Sequence, residues 1–221
     1  MFQIKICGIT TAADALLAAE AGADAIGLNF YPPSPRSLVF EQAEEISRQV
    51  SGMLLRVGVF VNQDEEEIRR CVESLQLEAV QLHGDEPASL IRTLHPIPVI
   101  RAFRCQEPGL AKVRETVEDY RQQQSIPAAV LLDAHLAGQY GGTGTVLDWQ
   151  QLDSVDGTVG GCPLILSGGL TAENVGTAIG QVRPWAVDTA SGVESEPGRK
   201  DPELLLQFVQ QAKAAMASLS S

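Results

Sequence analysis

The chain has 221 residues, of which 44% are hydrophobic and 20% charged, and its formal net charge is −12 at pH 7. This length suits one sizeable hydrophobic core, and the composition is that of an ordinary globular protein. Such an acidic chain is a poor partner for nucleic acid or for an anionic membrane. An anionic substrate would have to be bound by local groups against the overall charge.

Targeting segments, disulfides and metal sites are all disfavoured by the sequence. No apolar run approaches the roughly 18 residues of a membrane span, and polar residues interrupt any hydrophobic segment at the N-terminus. The four cysteines are far apart and form no CxxC pair, which is typical of a protein of the reducing cytoplasm. The three histidines lack a spacing such as HExxH, so no metal is predicted.

Short apolar segments alternate with amphipathic ones along the whole chain, which indicates repeated βα units. The predicted strands are 4–7, 25–29, 56–61, 79–83, 98–103, 129–133, 163–167 and 185–189. The predicted helices are 11–21, 40–50, 63–75, 86–94, 109–122, 172–181 and 201–217, with a weaker helical segment at 148–152.

This repeat predicts an α/β fold, a single (β/α)₈ TIM barrel that spans residues 1–221 as one domain. An open doubly wound sheet is the alternative. That fold usually has a glycine-rich loop after its first strand, whereas the first strand here ends in CGIT with one glycine.

Polar residues end most of the predicted strands. In a closed barrel the carboxyl ends of the strands meet at one mouth, where barrel enzymes carry out their chemistry. The residues at these ends are Cys7, Asn29, His83, Asp133, Ser167 and Asp188. Counting back by two also places Lys5, Gln81 and Arg101 inside the barrel. A buried ion pair between Lys5 and an aspartate that only holds the barrel's shape is one interpretation. The combination of Cys7, Asp133 and Asp188 favours an active site.

Cys7 and Asp133 are the candidate acid–base residues. A cation near Cys7, such as Lys5 on the same face, would lower the thiol pKa from about 8.5 and supply a thiolate base or nucleophile. An inert buried cysteine is the alternative. Asp133 ends an entirely apolar strand and would ordinarily cap the next helix. A long loop follows it instead, which favours a general acid.

Three glycine-bearing loops follow the last three strands, at 141–144, 167–170 and 190–193. Barrels often bind phosphate after their last two strands, where backbone N–H groups and a helix N-terminus face the anion. The candidate phosphate contacts are Gly142, Gly144, Gly168, Gly169, Ser191 and Gly192. Backbone dipoles of this kind bind an anion despite the acidic charge of the chain.

Two further side chains are candidate substrate contacts. Arg36 lies in the proline-rich segment 30–37, which is either a stiff connector with a solvated arginine or an arm over the mouth. In the second case its planar guanidinium would pair with a carboxylate. His83 is either a core histidine or a substrate contact, and we favour the contact.

These motifs resemble those of the phosphoribosylanthranilate isomerase family of tryptophan biosynthesis. They follow the family's order over nearly the whole chain, and 104–128 matches least. The matching segments are KICGIT (5–10), GADAIGLNFYPPSPR (22–36), RVGVFVN (56–62), VQLHGDE (80–86), LLDAHLAGQYGGTG (131–144), LILSGGLTAENV (164–175) and AVDTASGVES (186–195).

The resemblance implies a cofactor-free Amadori rearrangement of N-(5′-phosphoribosyl)anthranilate to 1-(2-carboxyphenylamino)-1-deoxyribulose 5-phosphate. Cys7 would be the general base and Asp133 the general acid. Arg36 would bind the anthranilate carboxylate, the late glycine loops the phosphate, and Asp188 the sugar hydroxyls. We expect a cytoplasmic monomer or homodimer that binds a phosphorylated small molecule and neither nucleic acid nor membrane.

Three other functions compatible with a phosphate-binding barrel stay open at this point. A Schiff-base aldolase would use Lys5 as its nucleophile. A sugar-phosphate epimerase would depend on a metal and would not need Arg36. A barrel that only binds a phosphorylated ligand would have no use for the thiol of Cys7.

Overall fold

Parallel strands close into a barrel in the computed structural model, which describes residues 2–104, 110–133 and 157–219. The strands are β1 (Ile4–Cys7), β2 (Ala25–Asn29), β3 (Leu55–Phe60), β4 (Ala79–Leu82), β5 (Val99–Arg104), β6 (Ala129–Asp133), β7 (Thr158–Val159), β8 (Cys162–Ser167), β9 (Ala186–Thr189), β10 (Glu194–Glu196) and β11 (Arg199–Lys200). The helices are α1 (Ala12–Ala21), α2 (Phe40–Gln49), α3 (Glu65–Leu75), α4 (Ala88–Thr93), α5 (Ala111–Gln122), α6 (Val175–Val182) and α7 (Pro202–Leu219).

The closure of the sheet confirms the predicted barrel. Strands pair in the order β6-β5-β4-β3-β2-β1-β9-β8, and β6 also pairs with β8, so the sheet has no free edge among these eight strands. All of these pairings are parallel. The carboxyl ends of the strands therefore share one rim, which we call the mouth.

Capping residues explain where helix α1 begins and ends. The Thr11 side chain accepts a hydrogen bond from the backbone N–H of Asp14, which satisfies one of the free donors of α1. Gly22 ends the helix with φ of 86°, a left-handed conformation that glycine adopts without strain. These caps set the short connection from α1 to β2.

Buried side chains form two layers, one inside the barrel and one between the barrel and the helices. The barrel interior holds a cluster of mostly small or branched residues: Phe2, Ala25, Val57, Ile100, Ala102, Ala129, Leu131, Ile165 and Ala186. A larger cluster lies between the strands and the helices. Lys5 and Gln81 alternate with residues of that outer cluster along β1 and β4, so their side chains face the interior, as predicted.

The prediction that Arg101 faces the barrel interior is wrong. Its neighbours Ile100 and Ala102 occupy the interior instead. The count started from Phe103, the last residue of the predicted strand, and Phe103 packs against the outer cluster, so the residue two positions before it faces outward as well. Arg101 faces outward and donates to Glu86 Oε2 at 2.7 Å.

Several features lie outside the prediction or outside the described residues. The antiparallel pair β10–β11 and the short strand β7 were not predicted. Gly142, Gly144 and the weak helical segment 148–152 fall outside the described ranges. Within those ranges, no helix combines the length and the apolar character needed to cross a membrane.

Candidate active site

Cys7 lies at the carboxyl end of β1, beside Gly27 on the neighbouring strand. An ideal Cβ built on Gly27 would stand 2.6 Å from the Cys7 sulfur, so the glycine leaves the space that the thiol occupies. Gly27 alternates with outward-facing Ile26 and Leu28, which places this contact on the interior face. The sequence around β2 thus fixes the position of the thiol at the mouth.

Lys5 and Asp188 form a buried ion pair directly beneath the thiol. Lys5 Nζ lies 2.6 Å from Asp188 Oδ1, and the two residues are in register between β1 and β9. Ser167 Oγ donates to the other carboxylate oxygen at 3.0 Å. Burial alone would lower the pKa of Lys5, but Asp188, with a smaller effect of Cys7, raises it overall. Lys5 is therefore a charged, paired group.

The pKa of the Cys7 thiol is raised, and the expectation that a nearby cation lowers it overall is wrong. Burial is the largest cause of the increase, although the residue is partly exposed by surface area. Lys5 and Lys200 act in the opposite direction, while the charge of Asp188 adds to the increase. The lysines thus moderate the effect of burial without reversing it. At neutral pH the thiol form dominates.

His83 faces the other candidate acid–base residue. Its Nε2 lies 3.6 Å from Asp133 Oδ2, and its Nδ1 lies 3.2 Å from Gln81 Nε2. The tautomer of the ring decides the direction of the contact with Gln81: an unprotonated Nδ1 accepts from the amide, and the ring N–H is then on Nε2, toward Asp133. Gln81 Oε1 is buried and has no hydrogen-bond partner among the described residues. His83 is therefore a mouth residue and not a core histidine.

Arg36 reaches the mouth, but its guanidinium already has an acidic partner. Its Nε and Nη2 donate to Oε1 and Oε2 of Glu194 at 2.8 and 2.5 Å. This hydrogen bonding, with the charge of Glu194, raises the pKa of Arg36. Asn29 holds the loop that carries Arg36, because its side chain bonds Ser34 Oγ at 3.1 Å and the N–H of Tyr31 at 2.9 Å.

Lys200 connects Glu194 to the end of β1. Its Nζ donates to Glu194 Oε1 at 2.8 Å, to the Cys7 carbonyl at 2.7 Å and to the Ala190 carbonyl at 3.0 Å. Burial lowers the pKa of Lys200 although Glu194 opposes the change. Three acceptors match the three N–H groups of an ammonium, so Lys200 is bound in its charged form.

The last two glycine loops lie together. Gly168 and Gly169 have φ of 89° and 68°, which L side chains rarely adopt. A Cβ on Gly192 would collide with the Leu170 carbonyl oxygen, and that oxygen also accepts from Thr189 Oγ1 at 2.7 Å. Ser191 begins a short 3₁₀ turn beside this contact and is exposed. The loops at 167–170 and 190–193 are therefore in direct contact, and their role in phosphate binding stays a prediction.

Sequence reasoning missed Glu194 and Lys200. Glu194 belongs to the matching segment 186–195 without an assigned role, and Lys200 lies in a charged stretch, GRKD, typical of a solvated turn. Arg36 is 158 residues from Glu194 and Cys7 is 193 residues from Lys200, so no local pattern indicated the contacts that connect the pair to the site. Across the described ranges, no group of three or more His, Cys, Asp or Glu side chains could hold a metal ion.

Comparison with known proteins identifies the family. The model of the N-(5′-phosphoribosyl)anthranilate isomerase family matches residues 4–211. The chain belongs to this family. The N-(5′-phosphoribosyl)anthranilate isomerase of Rubrobacter xylanophilus is 42% identical over 216 residues, which are 97% of this chain and 100% of that protein.

Solved structures agree with this assignment. The phosphoribosylanthranilate isomerase of Thermotoga maritima superposes with a TM-score of 0.81 at 40% identity, over 97% of this chain and 100% of that one. A phosphoribosylanthranilate isomerase in complex with reduced 1-(o-carboxyphenylamino)-1-deoxyribulose 5-phosphate has a TM-score of 0.77 at 38% identity, with the same coverage. The resemblance stated from the sequence motifs and the TIM-barrel fold are both confirmed.

Proposed function

We propose that this chain is a phosphoribosylanthranilate isomerase of tryptophan biosynthesis in which Cys7 and Asp133 carry the acid–base steps. One observation carries the proposal: in a chain that matches the family model over residues 4–211, these residues end β1 and β6 of one closed barrel. Around the barrel, β9 and β8 separate the two strands on one side and four strands do so on the other. The two groups can thus flank a substrate at the mouth.

The reaction begins with opening of the ribose ring. Asp133, as the carboxylic acid, gives its proton to the furanose oxygen while the C1′–O bond breaks. The anthranilate nitrogen supplies the electron pair that forms the C1′=N bond. The product of this step is a cationic Schiff base, which acidifies the hydrogen on C2′.

The second step removes the hydrogen on C2′. The Cys7 thiolate takes it as a proton, the C–H electrons form a C1′=C2′ bond, and the nitrogen regains its electron pair. The enolamine then moves the proton from its C2′ hydroxyl to C1′ and becomes the ketone. The cycle closes when the Cys7 thiol releases its proton to solvent and Asp133 takes one up.

Charge around Cys7 decides how much thiolate is available. Burial and Asp188 raise the pKa of the thiol, whereas Lys5 and Lys200 lower it. The lysines therefore supply the positive charge that a thiolate needs at the mouth. Lys5 is paired with Asp188 in this role, which supports a positioning function and not that of a Schiff-base nucleophile.

The remaining site residues bind the two ends of the substrate in this proposal. Gly168, Gly169, Ser191 and Gly192 hold the phosphate with backbone N–H groups, and Gly142 and Gly144 are assigned to the same end from the sequence. The other end of the substrate, the anthranilate carboxylate, is assigned to Arg36. His83 and Asp188 are assigned to the sugar between them.

Finer properties stay part of the proposal. A phosphorylated small molecule is the expected ligand, since a related isomerase is described in complex with a reduced ketose phosphate. We expect a protein of the cytoplasm on the basis of the dispersed cysteines. We expect a monomer or homodimer, since the related isomerase of Thermotoga maritima is described as dimeric and also as generated monomers.

The test follows the loss of anthranilate fluorescence when freshly made N-(5′-phosphoribosyl)anthranilate meets the protein. The wild type should turn over, and Cys7→Ser and Asp133→Asn should each lose at least about 10³-fold in kcat while still binding the reduced ketose phosphate. A folded wild type that binds this ligand without turnover would reject the isomerase mechanism and favour a binding protein.

A further inference from the structure

Three charged side chains connect the mouth to strand β1, which carries Cys7. They are Arg36, Glu194 and Lys200, and we call them the Arg36–Glu194–Lys200 cluster. The side chains of Glu194 and Lys200 are 4% and 0% exposed, and that of Arg36 is 16% exposed. The only partly accessible member is therefore the one that faces the mouth. Burial would raise the pKa of Glu194, but Arg36 and Lys200 together lower it.

Among the described residues, Glu194 is the side-chain partner of the Arg36 guanidinium, and the geometry of this pair leaves the opposite edge available to a ligand. Glu194 takes up the side edge, which consists of the Nε–H and one Nη2–H. A guanidinium has five N–H donors, so three remain, two on Nη1 and one on Nη2. These form the end-on edge, which can bind a second carboxylate with two parallel hydrogen bonds.

Charge balance explains why Glu194 is accompanied by Lys200. Glu194 alone would neutralise Arg36 and remove the attraction for an anionic ligand. With Lys200 bound to the same carboxylate, the cluster keeps a net charge of one positive unit. This local charge is what an anionic substrate requires in a chain with a net charge of −12.

Two further contacts connect the cluster to the carboxyl end of β1. Lys200 Nζ donates to the carbonyl of Cys7 at 2.7 Å. The aliphatic part of Arg36 passes over Gly8, where a Cβ would collide with it. The short strands β10 and β11 carry Glu194 and Lys200 and pair the two residues directly, so both side chains start from one antiparallel ribbon.

We propose that Glu194 and Lys200 are positioning residues that hold the end-on edge of Arg36 toward the substrate carboxylate, which rests on the proposed function because Arg36 binds the anthranilate carboxylate there. Lys200 fixes Glu194 against the Cys7 and Ala190 carbonyls. Glu194 in turn fixes the plane of the guanidinium. The cluster thus orients the aromatic acid relative to the thiol.

The direction in which Glu194→Gln changes the affinity for a carboxylate ligand separates a positioning role from a purely electrostatic one. Glu194→Gln removes a negative charge next to an anion site, so a purely electrostatic role predicts tighter binding of a carboxylate ligand. A positioning role predicts weaker binding, because a neutral amide holds the guanidinium less firmly and in a different geometry. The two roles therefore give opposite results.

Two probes measured by calorimetry test this difference. One is reduced 1-(o-carboxyphenylamino)-1-deoxyribulose 5-phosphate, and the other is its phenylamino counterpart, which lacks the carboxylate. In Glu194→Gln we expect affinity for the carboxylate probe to fall by about tenfold and affinity for the phenyl probe to change by less than about twofold. The KM for the substrate should rise by a similar factor with a smaller change in kcat.

Glu78→Gln is the matched control. Glu78 also pairs with an arginine, Arg56, through both carboxylate oxygens, but at the amino ends of β3 and β4. This variant should leave both affinities unchanged. Lys200→Met should lower affinity for the carboxylate probe, and its effect should shrink in a Glu194→Gln background, since both residues act through Arg36.

Three results would overturn the proposal. Unchanged or tighter binding of the carboxylate probe by Glu194→Gln would leave Glu194 with an electrostatic role only. An equal loss for both probes would indicate a general structural role.

Turnover and probe preference of the wild type are measured separately. If the wild type prefers the carboxylate probe but does not turn over substrate, the positioning role stands and the isomerase mechanism is rejected. A wild type without that preference overturns the positioning role.

Discussion

The sulfur of Cys7 occupies the space that a side chain on Gly27 would fill. The two residues are in register on β1 and β2, and an ideal Cβ on Gly27 would lie 2.6 Å from Sγ. A contact of that length is too short for carbon and sulfur, and both groups are on strand backbones that cannot easily separate. A glycine on one strand therefore determines where the thiol of the next strand lies.

Gly27→Ala should consequently displace the thiol and slow catalysis. A shift of about 1 Å in a reacting group can cost about 10²-fold, so we expect kcat to fall by one to two orders of magnitude. Steady-state kinetics with N-(5′-phosphoribosyl)anthranilate measures this. The control is Gly180→Ala, at an exposed position of α6 where a Cβ meets nothing within 4 Å. Full activity in Gly27→Ala would contradict the assigned position of the base.

The pH dependence of thiol alkylation should report the raised pKa of Cys7. Only the thiolate reacts with iodoacetamide, so the rate at which Cys7 is alkylated should rise with pH above neutrality, through the pKa of the thiol. Lys5 lowers that pKa, so Lys5→Met should move the rise to still higher pH. Asp188 raises it, so adding Asp188→Asn should move the rise part of the way back.

The pH profiles of the Cys7 alkylation rate, followed by mass spectrometry of the peptide that contains it, check this order for the wild type, the single variant and the double variant. The double variant also controls for stability, because it removes both partners of the buried pair and leaves no unpaired charge. A profile for Lys5→Met that rises at lower pH than that of the wild type would mean that Lys5 does not favour the thiolate.

The barrel strands and the polar residues at their carboxyl ends could be predicted from the sequence, because both depend on short-range patterns. Apolar alternation indicated the eight barrel strands, and it placed Lys5 correctly in the interior. The same counting failed for Arg101, because it started from Phe103, which packs against the outer cluster and not inside the barrel. A face assignment is therefore only as accurate as the assumed orientation of the residue from which it is counted.

The electrostatic details of the site could not be predicted, because they depend on contacts between distant residues. The net effect on the Cys7 pKa is a difference between burial and several charges, and the sequence indicated only Lys5. Arg36 was expected at a carboxylate, and its observed partner is the carboxylate of Glu194, 158 residues away. The end-on edge that remains follows only from the geometry of this pair.

Glu194 should also make the stability of the protein depend on pH. Its folded-state pKa is lowered from the ordinary 4.5, with burial opposed by Arg36 and Lys200. A group with a lowered folded pKa contributes stability above its unfolded pKa and loses it as the pH falls through the folded pKa. Thermal unfolding followed from neutral to acidic pH should show this loss in the wild type and a smaller one in Glu194→Gln.

Glu45→Gln is the comparison for that experiment. Glu45 pairs with Arg48 and Gln49 on the exposed face of α2, and its pKa is also lowered. Exposed pairs of this kind contribute little because water and salt screen them. The pH dependence of this variant should match that of the wild type. If the two substitutions flatten the pH dependence equally, burial of Glu194 has no special effect.

Gly192→Ala should weaken the binding of phosphate while the barrel stays folded. Its Cβ would collide with the Leu170 carbonyl oxygen, so the loops at 167–170 and 190–193 would have to separate. Overpacking of this kind costs about 1–3 kcal/mol, and part of that cost appears as misplaced N–H groups, so we expect affinity for the reduced ketose phosphate to fall by about tenfold. Gly180→Ala again serves as the control, because it adds the same methyl group in open space.

Calorimetric titration with this ligand, and with inorganic phosphate as a competitor, separates loss of the phosphate contact from loss of other contacts. The affinity of Gly192→Ala should fall by similar factors for the reduced ketose phosphate and for inorganic phosphate. An unchanged affinity for inorganic phosphate would place the phosphate site away from this loop.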